Sequence, residues 1–441
     1  MLRAGNAALV LAPQGKGVVA MDMGSILPSA AWLNAAQAAR GDLRRRVEDV
    51  IATSVASLES PVRPVLVLMH AEQRAQFLEL GVIDALRERL YLRGTDCVEW
   101  CVTTSPSPDT SDVPDAANRP LVYLVLSTND AAAAPAQGAP TGAQRAAKLA
   151  ETVGALLEKG EPVIISLAPS MFPSFGEKDP MSTLLARYGV EAMTGTPLLS
   201  ESLSPRGRTA ETDRIIQGTV GSQSAAGTEV HPLASAMQGL PTYLTWAIPL
   251  ERANDSAGTS FWPILTVPIS TANPPTTWAE SEWQRFRSVR REERSLMPDQ
   301  PAFSPERDRA EPQKPFDGTK SWTVVAAVEP GSRTKSETPA KPRRLLVAGS
   351  NDWFIDQVTQ QGTMLEGRAT FQNPGNLELL ENAVLWLTHQ DNLIAQSAAS
   401  RAVPIVRPIA DGPLRALRLG VIFGLPALVL IAGALVRLLR R

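Results

Sequence analysis

The chain has 441 residues, of which 44% are hydrophobic and 20% are charged, and its formal net charge is −2 at pH 7. A soluble part of this length is expected to form two or three domains with substantial cores. Because the charge is nearly balanced, no strong field draws nucleic acid or anionic lipid to the protein, so we expect no nucleic-acid partner.

The cysteines and histidines predict neither a metal site nor a redox motif. Cys97 and Cys101 lie four residues apart on one predicted strand, which is neither the thioredoxin spacing nor half of a zinc site. We therefore interpret them as two small core residues. His70, His231 and His389 are far apart in sequence and lack metal-ligand spacing. The sequence predicts no metal and no cofactor.

The first part of the chain predicts an N-terminal α/β domain over residues 1–104. A helical stripe of apolar residues marks a helix at 39–60, and a buried strand follows at 64–70. A second helix is predicted over 72–92 and a further strand at 95–103. These elements together form a βαβ-like unit.

A proline- and aspartate-rich segment, residues 105–120, predicts a linker to a second domain over 121–400. The second domain opens with a buried strand at 121–127. A helix follows at 143–159, and Gly160 takes the left-handed position that commonly ends a helix.

The second domain continues with alternating strands and helices. A strand is predicted at 162–168, and Asp179 followed by Pro180 predicts the start of the next helix. Strands that alternate with helices and short caps are typical of mostly parallel, doubly wound sheets. The predicted fold class is therefore α/β, with sheets of this kind.

The later part of this domain is less regular. Extended structure is predicted at 258–270, and residues 298–318, with five prolines and many charges, predict a disordered insert. Two further strands are predicted at 321–328 and 343–350, and a helix is predicted at 376–389. This helix completes the predicted body.

The end of the chain predicts one transmembrane helix over residues 417–436, after a juxtamembrane linker at 401–416. Twenty residues at ~1.5 Å each span ~30 Å, which is one hydrocarbon thickness. Arg418 and Arg437 lie only at or next to its ends, and membrane helices tolerate the interior Pro426. The alternative is a buried core helix, which the apolar character of all its faces disfavours. The lipid bilayer is thus an expected partner.

No motif for catalysis stands out. The phosphate-binding G-x-x-x-x-G-K-[ST], the nucleophile elbow G-x-S-x-G and the zinc motif H-E-x-x-H do not occur. The best polar candidate is Ser350, Asn351 and Asp352, which follow a buried strand, because open α/β sheets bind ligands at strand carboxyl ends. The alternative is a turn that caps the next helix. The sequence predicts a candidate ligand-binding group and no enzyme.

Several stretches resemble, in order, the gliding-motility-associated ABC transporter auxiliary family, the GldG-like proteins. The clearest is GNLELLENAVLWLTHQDNLI, residues 375–394, and Glu161 is a departure because a second glycine is usual there. The other similar stretches are residues 45–69, 156–170, 181–192, 231–240, 263–281, 321–328 and 343–353. The ordered set extends over most of the chain.

This resemblance implies an amidotransferase-like α/β body without a catalytic nucleophile, held between an N-terminal and a C-terminal span. It implies a non-enzymatic auxiliary subunit that works with an ABC permease and ATPase at the bacterial inner membrane. No N-terminal span is evident here, so we expect the natural start to lie upstream of Met1 and the body to lie outside the cytoplasm. The alternatives are an envelope amidase or hydrolase-like enzyme, or a ligand-binding module for polysaccharide or lipid.

Overall fold

The computed structural model describes most of the chain between residues 62 and 394. The described residues are 7–11, 18–22, 55, 58, 62–72, 77–92, 94–128, 139–203, 210–213, 215–220, 230–238, 240, 242–253, 258–286, 302–316, 320–330, 343–359, 362–365, 368–371 and 374–394. The chain divides into two units, 1–400 and 401–441. The predicted linker 401–416 and membrane helix 417–436 lie outside the described residues, as does nearly all of the predicted helix at 39–60. Within the described ranges, no helix combines the length and the apolar character that a membrane crossing requires.

Strands and helices alternate through much of the described chain. The strands are β1 (Ala7–Leu11), β2 (Val18–Asp22), β3 (Val65–His70), β4 (Asp96–Cys101), β5 (Leu121–Leu126), β6 (Val163–Ser166), β7 (Val190–Ala192), β8 (Leu198–Leu203), β9 (Ala210–Asp213), β10 (Ile215–Gly218), β11 (Thr242–Thr245), β12 (Leu250–Arg252), β13 (Ser260–Pro268), β14 (Thr277–Ala279), β15 (Ser321–Glu329), β16 (Leu345–Ala348), β17 (Gly362–Leu365) and β18 (Arg368–Phe371). The α-helices are α1 (Asp84–Leu92), α2 (Gly142–Lys159), α3 (Pro180–Ala186), α4 (Pro232–Ala236), α5 (Asp356–Thr359), α6 (Pro374–Leu387) and α7 (Asp391–Ile394).

A nine-stranded sheet forms the centre of this fold. Its order is β4-β3-β5-β6-β16-β15-β12-β7, and β13 also pairs with β15. The five strands from β4 to β16 are parallel, whereas β15, β12, β7 and β13 join by antiparallel pairing. The prediction of an α/β fold with a largely parallel central sheet is therefore confirmed.

Helices cover both faces of this sheet. Alternate side chains of β3 point to opposite faces: Leu66 and Leu68 enter one core with α1 and α6, while Val67 and Met69 enter another with α2 and α3. Burial on both faces explains why β3 is a continuous apolar run, VLVLMH, rather than an alternating one. The sheet is therefore the middle layer between two sets of helices.

The segment 105–120, predicted to link two domains, lies within this sheet architecture. β3 and β4 precede the segment and β5 follows it, yet β3 pairs with both β4 and β5. Arg119 fixes the end of the segment, because its guanidinium donates to the carbonyl oxygens of Arg63 at 2.7 Å and Pro64 at 2.9 Å and pairs with Asp96 at 2.6 Å. Strands assigned to two predicted domains thus share one sheet.

The helix predicted over 72–92 is shorter in the structure. Within the described residues it is α1, which begins at Asp84, and residues 77–83 before it form turns. Gly81 adopts a φ of 67°, a left-handed conformation that an α-helix does not continue through. The left-handed conformation of Gly81 therefore explains why the helix begins later than predicted.

Part of the insert predicted to be disordered, 298–318, is packed against the body. Residues 302–316 are described, and Asp308 within them is buried. Its carboxylate accepts from the backbone N–H groups of Ser281 at 3.1 Å and Ser304 at 2.8 Å. The buried carboxylate of Asp308 therefore holds in place a proline-rich segment whose composition predicts disorder.

Gly349 lies where the parallel and antiparallel parts of the sheet meet. Its N–H donates to the carbonyl oxygen of Val324 at 2.8 Å, and its own carbonyl accepts from the Ile248 N–H at 2.6 Å. A Cβ at this position would lie 2.2 Å from the Ile248 carbonyl oxygen. Because Gly349 has no side chain, Ile248, in the segment that leads into β12, can pass close to the backbone at the end of β16.

Candidate functional site

The carboxyl ends of β3, β5, β6 and β16 meet along one side of the sheet, here called the carboxyl edge. The chain passes from β3 to β4 on one side of β3, and then from β4 to β5 on the other side of β3. The strand order therefore reverses at β3. Open α/β sheets bind ligands outside their strand carboxyl ends, at the point where the strand order reverses. The carboxyl edge is therefore the candidate site of this fold.

The three predicted site residues lie at the carboxyl edge, but their surroundings differ. Ser350 is fully buried, and its hydroxyl donates to the Thr245 carbonyl oxygen at 2.9 Å. Asn351 Oδ1 accepts from the Ser127 N–H at 2.9 Å, and its Nδ2 donates to the Ser127 carbonyl at 3.3 Å. Asp352 is exposed. Ser350 and Asn351 thus tie distant segments together, and a ligand-binding role for the three stays a prediction.

Two serines and a tryptophan extend this hydrogen-bonded group. Ser127 Oγ donates to the Ser166 carbonyl at 2.8 Å, and the buried Trp353 Nε1 donates to Ser166 Oγ at 3.0 Å. The bonds join the ends of β5, β6 and β16. Sequence reasoning did not single out these residues, although each serine ends an apolar run, LVLS or VIIS, which is a local signal of a strand terminus.

A buried histidine paired with a half-buried glutamate lies beside the end of β3. His70 Nδ1 accepts from the Glu72 N–H at 3.1 Å, so Nε2 carries the proton and donates to Glu99 at 2.9 Å. Burial lowers the pKa of His70, and the neighbouring Glu99 carboxylate opposes that shift. Glu99 also accepts from the N–H groups of Phe77 and Leu78, both at 3.0 Å. A neutral imidazole therefore helps to hold the turns before α1.

The start of α2 brings a cation to the carboxyl edge. Arg145 Nε lies 3.4 Å from the Glu72 carboxylate, and Arg145 Nη1 donates to the Pro140 carbonyl at 2.9 Å. The helix begins with a capping box, in which Thr141 Oγ1 accepts from the Gln144 N–H at 3.2 Å and Gln144 Oε1 accepts from the Thr141 N–H at 2.9 Å. This cap fixes the helix turn that carries Arg145.

The cysteines are free and belong to the edge strand β4. Burial raises the pKa of the Cys97 thiol to about 12, so this thiol is protonated at neutral pH. Cys101 Sγ lies 3.2 Å from Thr103 Oγ1. Among the residues that the structure describes, no group of three or more His, Cys, Asp or Glu side chains is arranged to hold a metal ion.

A cleft opens at the carboxyl ends of β5 and β6, next to α2 and α3. It is small, with a volume of about 20 Å³, which is room for roughly one water molecule. Its lining includes Ser127, Thr128, Ser170, Phe172, Asp179 and Met181. Sequence reasoning treated Asp179 only as a helix cap, a role it does fill by accepting from the Ser182 N–H at 2.8 Å.

The carboxyl edge therefore has two parts. Ser127, Ser166, Asn351 and Trp353 form a hydrogen-bonded group that closes the strand ends. The adjoining cleft is lined by residues that carry hydroxyls, by a carboxylate and by apolar side chains. No protein-family model, curated protein or solved structure matches this chain.

Proposed function

We propose that this chain is a non-enzymatic, membrane-anchored auxiliary subunit of an ABC-type export system. In this proposal residues 417–436 are a transmembrane helix in the bacterial inner membrane. The body is amidotransferase-like, lacks a nucleophile and acts outside the cytoplasm on the permease and ATPase. The ordered resemblance to the GldG-like proteins motivates the proposal. The hydrogen bonds that polar side chains at the carboxyl edge make within the protein support it.

The observation that carries the proposal is that the polar side chains at the carboxyl edge form hydrogen bonds within the protein. An α/β hydrolase needs a nucleophile and a base within hydrogen-bond reach, usually at strand ends. Here Ser166 and Ser350 are fully buried and hydrogen-bond to Trp353 and the Thr245 carbonyl. The buried His70 imidazole is engaged by Glu99. These contacts favour a body that works by binding over one that works by covalent chemistry.

In this proposal the body is rigid up to the residues that precede the anchor, and a cluster around Arg344 fits that expectation. Arg344, just before β16, binds both carboxylate oxygens of Asp391, at 2.7 and 2.8 Å, and its Nε binds Glu329 at 3.2 Å. Its guanidinium also lies 5.1 Å from the centre of the Trp386 ring. Asp391 begins α7, the last described helix before the predicted linker 401–416. Several contacts thus fasten α7, the last described helix, to the sheet.

The proposal predicts that the full-length tagged protein, purified from native membranes in mild detergent, brings an ABC permease and ATPase with it. Leu428→Arg puts a charge near the middle of residues 417–436, at a cost of roughly 2.5–3.5 kcal/mol for a membrane helix. We expect this variant to leave the membrane fraction and lose both partners. Leu428→Ile is the matched control and should keep them. Pure protein at native yield with neither partner contradicts the proposal.

The hydrolase alternative is separated by a variant that leaves the core intact. Asp352 is exposed, so Asp352→Asn removes a carboxylate with little effect on packing. We expect this variant to complement a deletion of the gene as well as the parent does. Loss of complementation, at unchanged protein level and unchanged recovery of partners, favours the enzyme.

A further inference from the structure

We propose that the edge of β14 and the turn after it form a binding site for an extended peptide, which residues 302–316 of this chain occupy in the structure. Residues 302–316 are here called the strap. The peptide that fits carries an acidic residue between two basic ones, as the strap does at Arg307, Asp308 and Arg309. This inference goes beyond the export-subunit proposal and does not depend on it, because it concerns what the body itself can bind.

The strap lies along the side of β14 that faces away from β8. β14 pairs with β8 on one side, with Trp278 opposite Leu199. On the other side, the Ala279 N–H donates to the Arg309 carbonyl at 2.9 Å, and the Arg309 N–H donates to the Ala279 carbonyl at 3.2 Å. An extended peptide that adds to the edge of a sheet makes main-chain bonds of this kind. The strap therefore contacts β14 in the way that a peptide ligand would.

The acidic residue of the strap binds to the turn after β14. The Asp308 carboxylate accepts from the Ser281 N–H at 3.1 Å and from Ser281 Oγ at 3.0 Å. It also accepts from the N–H of Ser304, within the strap, at 2.8 Å. Hydrogen bonds to an ionised acceptor are stronger than those between neutral groups. Ser281 thus provides two donors for a ligand carboxylate.

The two arginines of the strap also contact the body. Arg307 pairs with Glu282, in the turn after β14. Arg309 Nη2 donates to Thr196 Oγ1 at 3.2 Å. The body has a buried carboxylate of its own here, Glu280, which is 1% exposed. Because like charges repel, a ligand acid at this place is favoured when basic residues flank it, as in the sequence Arg-Asp-Arg of the strap.

An aromatic cluster lies beneath the strap. Phe303 of the strap packs edge-on against Trp278, with ring centroids 6.5 Å apart. Trp278 and Trp283 are 1% and 0% exposed, and the ring of Trp246 lies 5.8 Å from that of Trp283. Aromatic side chains in buried pockets supply much of the binding energy of interfaces. We therefore expect the peptide to carry an aromatic residue before its acidic one, as Phe303 precedes Asp308 in the strap.

Asp308 is the one buried residue of the strap. It is 6% exposed, and every other residue from 302 to 316 is exposed or half-buried. The strap thus buries less apolar surface than a core element does, and hydrophobic stabilisation scales with that surface. Segments with few buried apolar contacts open at a lower free energy than the core. A competing peptide is therefore expected to displace the strap without unfolding the central sheet.

The first measurement is hydrogen exchange of the full-length protein in detergent, followed by mass spectrometry. Asp308→Asn keeps the size of the side chain but replaces a charged acceptor with a neutral amide. We expect the strap of this variant to exchange about tenfold faster than that of the parent, while β15 exchanges as in the parent. Glu306→Gln, which removes an exposed carboxylate of the strap, is the matched control and should exchange like the parent.

The second measurement is the anisotropy of a fluorescent peptide with the sequence of residues 302–316. The parent and Glu306→Gln should bind it weakly, because their own strap is held at the site at a high effective concentration. Asp308→Asn should bind it about tenfold more tightly, since its own strap competes less well. A second peptide, with asparagine in place of the aspartate, should bind to Asp308→Asn about tenfold more weakly than the first.

A variant on the body tests the same contact if Asp308→Asn has no cooperative melting transition. Ser281→Ala removes the Oγ donor and keeps the N–H, so it should change both measurements in the same direction by a smaller factor. The proposal is overturned if the strap of the folded variant stays as protected as in the parent, if the opened variant does not bind the peptide, or if both peptides bind equally well. A parent that light scattering shows to be a dimer, and that becomes a monomer as Asp308→Asn, also overturns it, because the occupant is then the strap of a second copy.

Discussion

His231 is a buried side chain that combines helix capping with core packing. It is 5% exposed, and its Nδ1 accepts from the Leu233 N–H at 3.2 Å at the start of α4. Its ring lies 5.1 Å from the Trp262 ring and 5.0 Å from that of Trp386. Burial lowers the pKa of His231 to about 4, and the charge of Arg344 acts in the same direction. The folded protein thus holds this imidazole neutral.

This environment predicts that folding stability decreases as pH falls from 7 to 5. The unfolded chain takes up a proton near the ordinary pKa of 6.5, whereas folded His231 does so only near 4, so the free energy of unfolding falls by about 2 kcal/mol over that interval. His231→Asn keeps a capping acceptor but does not titrate. We expect urea unfolding of this variant to depend less on pH by about that amount.

The matched control is His389→Asn. His389 has a φ of 58°, which asparagine tolerates, so this variant is expected to fold and shows how far a histidine-to-asparagine change elsewhere alters the pH dependence. His70 also has a lowered pKa and leaves some pH dependence in both variants. If the free energy of unfolding changes with pH equally in His231→Asn and in the parent, protonation of His231 does not contribute to the pH dependence of stability.

At this scale the sequence predicts where polar residues lie but not what they bind. Ser350 and Asn351 follow a buried apolar run, which is sufficient to place them at a strand end. Their partners, Thr245 and Ser127, are 105 and 224 residues away in sequence. Which distant segments become neighbours depends on the packing of the whole sheet, so neither these bonds nor the steric requirement at Gly349 follows from local sequence.

Helix α2 shows what is predictable at the scale of one element. The helix predicted over 143–159 is confirmed as Gly142–Lys159. Gly160 has a φ of 80°, and its N–H donates to the Leu157 carbonyl at 3.1 Å, as expected of a left-handed cap. Both ends are set by residues within one turn of them, and this is why the sequence predicts them.

The capping box predicts a difference between two threonines of the same region. Thr141→Ala removes the acceptor for the Gln144 N–H and should lower the free energy of unfolding by about 1 kcal/mol. Thr152 lies inside the helix and its hydroxyl donates to the Lys148 carbonyl of the same helix, so Thr152→Ala should be neutral or slightly stabilising. Midpoints of urea unfolding compare the two variants. Equal destabilisation by both argues against a capping role.

The pairing of the later strands could not be predicted in the same way. Residues 258–270 and 321–328 were expected to be extended, and β13 and β15 confirm this. Their antiparallel pairing was not predicted, because strands buried on both faces are continuous apolar runs whatever the direction of their neighbours. The direction of pairing depends on connections between strands that have no local signature.

At the scale of the molecule, the shared sheet predicts one cooperative unit. β3 precedes the segment 105–120 and β16 lies far beyond it, yet β5 and β6 connect them without a break in the sheet. We expect hydrogen exchange in increasing urea, followed by mass spectrometry, to give the same opening free energy for β3 and β16. The short helix Phe172–Phe175, in which residues 173–175 are exposed, should exchange more readily. A separate, earlier opening of β3 indicates two independent domains.

The position of β16 between β6 and β15 also has a consequence for biosynthesis. Ser166 at the end of β6 pairs with Ala348 at the end of β16, so about 180 residues are translated after β6 before its neighbour exists. At ~5–20 residues per second, this interval is roughly 10–40 s. During that time one side of an apolar strand has no native neighbour, and such edges recruit other chains. The nascent protein is therefore expected to need a chaperone until β16 has left the ribosome.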